Sequence, residues 1–252
     1  MKNIKKKIQE DEYFFPYHYL DIKCDDYKYF HHADYVSYIS LIVDYLGKID
    51  KKNYILDAGC GDGRFCYEVK LRSQDANITG VDFSDRAISF AKAFNPNIPF
   101  LVKDLTKLKL QKKYDNIVLI EALEHIMPKD IEKILSSLAL HLKTNGKIII
   151  SVPSINVPVH EKHYQHFSEE SILRTLEPYF SVETVTGYAK LGSKRRLFNL
   201  LKNFGYLLYP LKYRIKPIYR YYNFIENYYK RNLAIGKPSE CKGLIAICKK
   251  KK

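Results

Sequence analysis

The run Ile55-Leu56-Asp57-Ala58-Gly59-Cys60-Gly61-Asp62-Gly63-Arg64 constrains this chain more than any other feature. Tyr54, Ile55 and Leu56 read as an apolar strand that meets an aspartate and then glycines at every second position. Glycines so spaced let the main chain take positive φ and let a ligand approach it with no Cβ in the way. Residues 64–71 then carry helical spacing, so the first amides of that helix point at the same place. A strand–glycine turn–helix unit is the nucleotide-binding opening of a doubly wound α/β fold. The dinucleotide fingerprint is G-x-G-x-x-G, whereas these glycines run G-x-G-x-G, which argues against a dinucleotide.

The rest of the chain repeats the pattern. Asn77 to Val81 reads as a second strand ending at Asp82, 21 residues beyond Gly61, where doubly wound folds place an acid on ribose hydroxyls. Ser84 is placed to cap a helix running to Phe94, with Asp85 at the positive end of its dipole. A third strand, Ile98 to Val102, leads into Lys103-Asp104-Leu105, and residues 114–120 form a fourth. A fifth, Gly146 to Val152, follows a helix that Asn145-Gly146 is expected to terminate. Strands alternating with helices long enough for right-handed crossovers predict a parallel, doubly wound sheet.

Asp57-x-Gly59-x-Gly61, followed in order by Asp82, Asp104 and a fourth strand running into Glu121, resembles the motif series of the class I S-adenosylmethionine (SAM)-dependent methyltransferases. The resemblance covers residues 50–190 and the terminal strand. It implies an α/β, Rossmann-like fold: a doubly wound seven-stranded sheet, mostly parallel, with an antiparallel C-terminal strand. That strand, Gly243 to Cys248, would insert beside Phe180 to Thr186. It implies SAM as cofactor, bound by Asp57, Gly59, Cys60, Gly61, Asp82, Phe83, Asp104, Leu105 and Glu121, with Asp104 meeting the adenine amino group. Residues 49–190 and 237–252 would form the core. Residues 1–48 would be a strap and a helix, from about Ala33 to Leu46, covering the cofactor. In that strap Tyr17, His18 and Tyr19 are expected to reach the cofactor carboxylate or the acceptor.

Methyl transfer from a sulfonium is an in-line displacement, so alignment and exclusion of water matter most. A hydroxyl acceptor also needs a base or a metal to take its proton. Two strings at the carboxyl edge of the sheet can supply these: Glu121-x-x-Glu124-His125 and His160-x-x-His163-x-x-His166. His125 and His163 are the candidate base and orienting groups, with Glu124 beside them and His160 and His166 on the acceptor side. The E-x-x-E-H string resembles ubiquinone-type O-methyltransferases and small-RNA 3′-end 2′-O-methyltransferases, in which it ligates a divalent metal. Glu121, Glu124 and His125 are the corresponding set here, completed by His163 or His160 from the loop after the fifth strand. The same string is widespread in metal-free class I enzymes, and metal-free histidine catalysis is the favoured reading. Lys162-His163-Tyr164-x-His166-Phe167 resembles a stretch of methyltransferases in cell-surface polysaccharide pathways. The expected function is therefore O-methylation of a polar small molecule or glycan precursor, with phosphorylated and nucleotide-activated acceptors among the candidates, in cell-envelope or capsule biosynthesis. The alternatives are a metal-assisted RNA 2′-O-methyltransferase and a binding protein that keeps the fold without the chemistry.

The net charge of +14 suggests anionic partners, but its location matters more than its size. Ten basic residues and one acid, Glu226, lie between Gly192 and Asn232; with Lys249 to Lys252 they hold nearly all of the excess. Residues 191–236 therefore read as a basic, tyrosine-rich insertion, with Leu197, Leu200, Leu201, Phe204, Leu208 and Leu211 at helical spacing and Pro210 and Pro217 as breaks. It is expected to pack on the body or form a homodimer interface. Otherwise it rims an anionic acceptor site or touches an anionic membrane surface; RNA ranks last. Five cysteines, odd in number and without a C-x-x-C pair, suggest reduced thiols in a cytoplasmic protein. The N-terminus lacks the apolar run of a signal peptide, and no apolar stretch reaches the ~18 residues of a membrane span.

Overall fold

The apolar run before the glycines forms β1 (Tyr54–Ala58), an interior strand of an eight-stranded sheet in a computed structural model that describes residues 2–19, 28–211 and 215–251. Cys24, Lys212, Tyr213, Arg214 and Lys252 lie outside the described residues. The other strands are β2 (Asn77–Asp82), β3 (Phe100–Val102), β4 (Tyr114–Ile120), β5 (Leu142–Pro153), β6 (Phe180–Lys190), β7 (Ile235–Gly236) and β8 (Cys241–Lys250). Their order is β3-β2-β1-β4-β5-β8-β6-β7. The first five run parallel, and β8 lies antiparallel between β5 and β6, with Ile150 opposite Ala246 and Ala246 opposite Val185. The expected C-terminal insertion is thus present. The strand count differs by one, because the two-residue β7 pairs with Gly187 and Tyr188 on the outer edge.

Helices cover both faces, as a sheet buried on two sides requires. One face packs α5 (Pro128–His141) and α6 (Glu169–Leu176) through Ile134, Leu138 and Ile172. The other packs α2 (Lys28–Leu46), α3 (Arg64–Arg72) and α4 (Asp85–Phe94) through Ile42, Val69 and Ile88. Helix α2 begins earlier than Ala33 and is kinked at His32. Ser84 caps α4, its hydroxyl accepting the Ala87 N–H at 3.1 Å. The Asn145-Gly146 pair does not terminate a helix: α5 already ends at His141. The pair falls inside β5, where pairing with β4 jumps from Tyr114–Leu142 to Asn116–Lys147. The turn chemistry is realised as a strand irregularity instead.

Helix α1 (Lys2–Glu12) precedes the sheet, and the 191–236 segment forms a helical hairpin of α7 (Ser193–Leu208) and α8 (Lys216–Asn232). The hairpin leaves the sheet where β6 ends and packs against Ala33 of α2 through Phe198, Tyr222, Ile225 and Tyr229. Asp34 of α2 ties it down, pairing with Arg195 and with Lys242, each at 2.7 Å. Residues expected to form one apolar stripe on α7 divide. Leu201 and Leu208 face this small core, whereas Leu197, Leu200 and Phe204 are exposed. Among the described residues no helix is long and apolar enough to cross a membrane.

Candidate active site

A cavity of about 1060 Å³ opens at the carboxyl ends of β1, β2 and β4, the edge at which doubly wound sheets bind ligands. At its cofactor end the three glycines take the left-handed backbone their spacing implied, with φ of 79° at Gly59, 52° at Gly61 and 82° at Gly63. The Gly59 and Cys60 N–H groups donate to the Val81 carbonyl at 2.7 and 3.0 Å, which fastens the turn to β2. Asp82 accepts from the Gly61 N–H at 3.0 Å and the Ser84 N–H at 2.9 Å. Burial nevertheless lifts its carboxyl above the usual range, against those two donors. Burial pushes Asp57 up to about 7, although the Cys66 thiol donates to it at 3.3 Å.

Every residue expected to bind the cofactor lines this cavity: Asp57, Gly59, Cys60, Gly61, Asp82, Phe83, Asp104, Leu105 and Glu121. One oxygen of Asp104, Oδ1, is engaged locally, accepting from the Thr106 N–H at 2.8 Å and its hydroxyl at 2.7 Å. A Cβ added at Gly61 would lie 2.6 Å from the Tyr13 hydroxyl, and one at Gly59 would lie 3.1 Å from the Ala122 Cβ. The cradle is therefore kept open by the lack of side chains. Its size, its bare glycine backbone and the flanking Asp82 fit SAM, and leave room for an acceptor.

The N-terminal strap forms the roof. Tyr13, Tyr17 and His18 line the cavity with Tyr35 and Tyr38 of α2. His18 is fixed by Asp62, whose Oδ1 lies 2.9 Å from its Nδ1, and by stacking on Tyr35 at 4.9 Å between centroids. Arg64, fully buried, donates to the His18 carbonyl and pairs with Glu68 at 2.7 Å. Tyr19 is not in the cavity: it stacks on Phe94 and accepts from Asn95, a packing role. Helix α1 bridges the two ends. Glu10 accepts from the Ser84 hydroxyl at 2.9 Å, Lys5 donates to the Glu161 and His163 carbonyls at 2.6 Å, and Glu12 pairs with Lys162 at 2.6 Å.

At the acceptor end, β4 runs into Glu121, a non-glycine residue held at φ 46°. That strained conformation is paid for by its N–H bonds to the Ser151 carbonyl and hydroxyl and by the Tyr188 hydroxyl on its side chain. The turn Leu123–His125 then points Glu124 and His125 at the histidine loop, which the Tyr164 N–H pins to the Glu124 carbonyl at 2.8 Å. His125 and His163 meet edge to face, 4.7 Å between ring centroids. Burial pushes Glu121 up to about 7 and holds Glu124 well above the usual carboxylate range, aided by the neighbouring Glu121. Burial likewise drives His125 and His163 down to about 3, with Lys162 and the other histidines adding to the effect. Both carboxyls and both imidazoles thus tend to neutrality.

His160 and His163 line the cavity; His166 does not, and stands directly behind His163. His166 Nδ1 lies 3.0 Å from the Val157 carbonyl, which can only accept, so this nitrogen carries the proton. In the neutral ring its Nε2 is then an acceptor for His163 Nδ1–H at 2.8 Å. That leaves a lone pair on Nε2 of His163. Among the described residues, Glu121 Oε1, both oxygens of Glu124 and Nδ1 of His125 have no hydrogen-bond partner. Glu124, His125 and His163 each offer one ligand atom within 4.8 Å of the others.

Comparison with known proteins places the chain in a family and matches its fold. The chain fits the model of the family described as "Methyltransferase domain" over residues 29–208, and belongs to that family. That membership accords with the resemblance to class I SAM-dependent methyltransferases carried by Asp57, the glycine turn, Asp82, Asp104 and Glu121. A ubiquinone biosynthesis O-methyltransferase of Rickettsia akari is 34% identical over 101 residues, 38% of this chain and 39% of the relative. The match thus spans about two-fifths of that relative's length. Among solved structures, the PH0226 protein of Pyrococcus horikoshii superposes with a TM-score of 0.60 at 16% identity, covering 94% of this chain and 97% of the other. Magnesium protoporphyrin IX methyltransferase of Synechocystis, solved with bound SAM, gives 0.52 at 22% identity over 65% and 77%.

Several contributors escape a reading of the sequence. Tyr188 comes from β6 and Tyr38 from α2, and both are buried beside Glu121, yet neither sits in a motif. Tyr35 and Tyr38, three apart on one helix, are the only local sign of that wall.

Proposed function

We propose that this protein transfers the SAM methyl group to a hydroxyl of a small-molecule acceptor. The observation that carries this reading is the lone pair on His163 Nε2, fixed by the His166–Val157 relay beside His125 and Glu124. SAM supplies an electrophilic methyl group on a sulfonium. The chain holds the donor on the glycine turn and Asp82, roofs it with Tyr13 and Tyr17, and orients the acceptor hydroxyl towards His163. A base at about 3 is weak towards a neutral alcohol. As the C–O bond forms, however, the hydroxyl oxygen gains positive charge and its proton becomes strongly acidic, so a weak neutral base suffices. The tyrosine walls and Ile126, Met127 and Ile134 exclude water from this end.

The acceptor expected from the sequence is a polar small molecule or a glycan precursor of cell-envelope or capsule biosynthesis. The relatives named for ubiquinone biosynthesis O-methylation are a reason to test phenols beside it. A screen of S-adenosylhomocysteine release against phenols, nucleotide sugars, phosphorylated small molecules and short RNAs decides the matter. Turnover on a hydroxyl acceptor, lost in His163→Ala, is the expected result; turnover only on amines or thiols overturns it.

A second reading has its own observation. Two partnerless carboxylate oxygens and two imidazoles that converge are suited to a divalent cation such as Mg²⁺, Mn²⁺ or Zn²⁺. Glu124, His125 and His163 would hold it, and it would supply a Lewis acid for the acceptor oxygen. Metal analysis of the purified protein and turnover after dialysis against chelator separate the two readings.

A further inference from the structure

Helix α7 is apolar on two sides. Its inward side, with Phe198, Leu201, Gly205 and Leu208, packs on α8 and α2, and Arg195 beside it is neutralised by Asp34. The folding demand of an amphipathic helix is met by that side alone. A second stripe, Leu197, Leu200, Phe204 and Leu207, continuing to Leu211, recurs at three- and four-residue intervals and is between 39% and 76% exposed. Single exposed apolar side chains are ordinary, but four leucines and a phenylalanine in one row on an outer face are not.

The surroundings of the stripe are cationic. Lys194 and Arg196 border its first turn, and Arg196, Arg220 and Arg231 are exposed with no acidic partner among the described residues. Glu226 is the single acid between Gly192 and Asn232, against ten basic residues. A second copy of the chain is a poor occupant, because a symmetric contact would press two strongly basic faces together. RNA would take the arginines and leave the leucines in water. An anionic bilayer satisfies both, with acyl chains for the stripe and headgroup phosphates for the cations.

The hairpin also sits at the right end of the molecule. It leaves the sheet from β6, whose Tyr188 hydrogen-bonds Glu121, and packs on α2, whose Tyr35 and Tyr38 line the cavity. We infer that the α7–α8 hairpin docks this methyltransferase peripherally on an anionic membrane surface, through the Leu197–Leu211 stripe and its flanking arginines. Docking turns the edge of the sheet that carries the acceptor end towards the bilayer.

Co-sedimentation with phosphatidylcholine vesicles, with and without phosphatidylglycerol, tests this. The protein is expected to partition onto the anionic vesicles alone, less so as salt rises. Leu200→Ser with Leu207→Ser, and separately Arg196→Glu with Arg220→Glu, are each expected to weaken partition about tenfold or more. Calorimetric binding of S-adenosylhomocysteine, unchanged in both variants, shows that the cofactor end is intact. The inference is overturned by absent partition onto anionic vesicles or by partition that either variant leaves unchanged. A dimer that the leucine substitutions dissociate overturns it equally. Vesicle binding is read without turnover, so its failure leaves the methyl-transfer reading standing.

Discussion

The two ends of the cavity solve opposite problems. At the cofactor end the polar groups are already satisfied: Asp82 accepts from Gly61 and Ser84, Asp62 holds His18, and Cys66 donates to Asp57. At the acceptor end Glu124 and His125 are buried with polar atoms that have no partner. A buried polar atom without a partner costs about 1–3 kcal/mol, so the second end stores instability that a bound ligand can relieve. The cofactor end is shaped by the backbone before anything binds. The acceptor end is shaped by side chains that await their ligand.

The sharpest break in this contrast is Gly63→Val. Its φ of 82° is unfavourable to any branched residue, and a Cβ there would meet Ala91 Cβ and the Phe100 ring, each at 2.9 Å. A loss of about 4 kcal/mol in urea unfolding is expected, with cofactor binding lost in parallel. His163→Ala makes the opposite cut. Turnover on the acceptor found by screening should fall ~10²–10³-fold, while unfolding and S-adenosylhomocysteine affinity stay near wild type. Equal losses of affinity and turnover would show that the two ends are not separable.

Asp57 lets the contrast be read through pH. Its folded value of about 7 lies above the usual 3.9 of an unfolded aspartate, because burial disfavours the anion. Between those values the unfolded chain sheds a proton that the folded chain keeps. Raising pH therefore favours unfolding across pH 4–7, and the cost is full above 7. Asp57→Asn removes it. Relaxation of the protein around the anion discounts the full shift to a gain on the order of 2 kcal/mol at pH 8, vanishing near pH 4. The same substitution removes an anion from the site of a cationic cofactor, so affinity should weaken as stability rises. A variant no more stable at pH 8 than at pH 4, relative to wild type, would show that Asp57 titrates normally.

Legibility follows the same division. The cofactor end was readable because positive φ demands glycine locally, and because Asp82 lies a fixed crossover away from Gly61. Asn145-Gly146 shows the limit even there, since one dipeptide serves a helix end or a strand irregularity, and only the pairing of β4 with β5 decides between them. The acceptor end depends on the path of a loop. Strand order placed the His125 and His163 strings on one edge of the sheet, but the contact between rings 38 residues apart depends on the Tyr164–Glu124 backbone bond, which no local pattern announces. On α7 the leucines were visible, but their division between an inner and an outer face was set by where α2 and α8 pack.

The smallest expected effect is also the most specific to the acceptor end. His166 touches no part of the cavity, so any influence on chemistry must pass through His163. In His166→Phe the ring volume is roughly kept but the acceptor for His163 Nδ1–H is gone, and His163 is no longer held to the tautomer with a free Nε2. About a tenfold fall in kcat is expected, with KM and cofactor affinity little changed. His166→Gln presents a carbonyl oxygen to the same N–H and should recover much of the loss. A role in packing alone would reverse that order, since Phe fills the space better than Gln; measuring kcat and thermal stability for both variants separates the two.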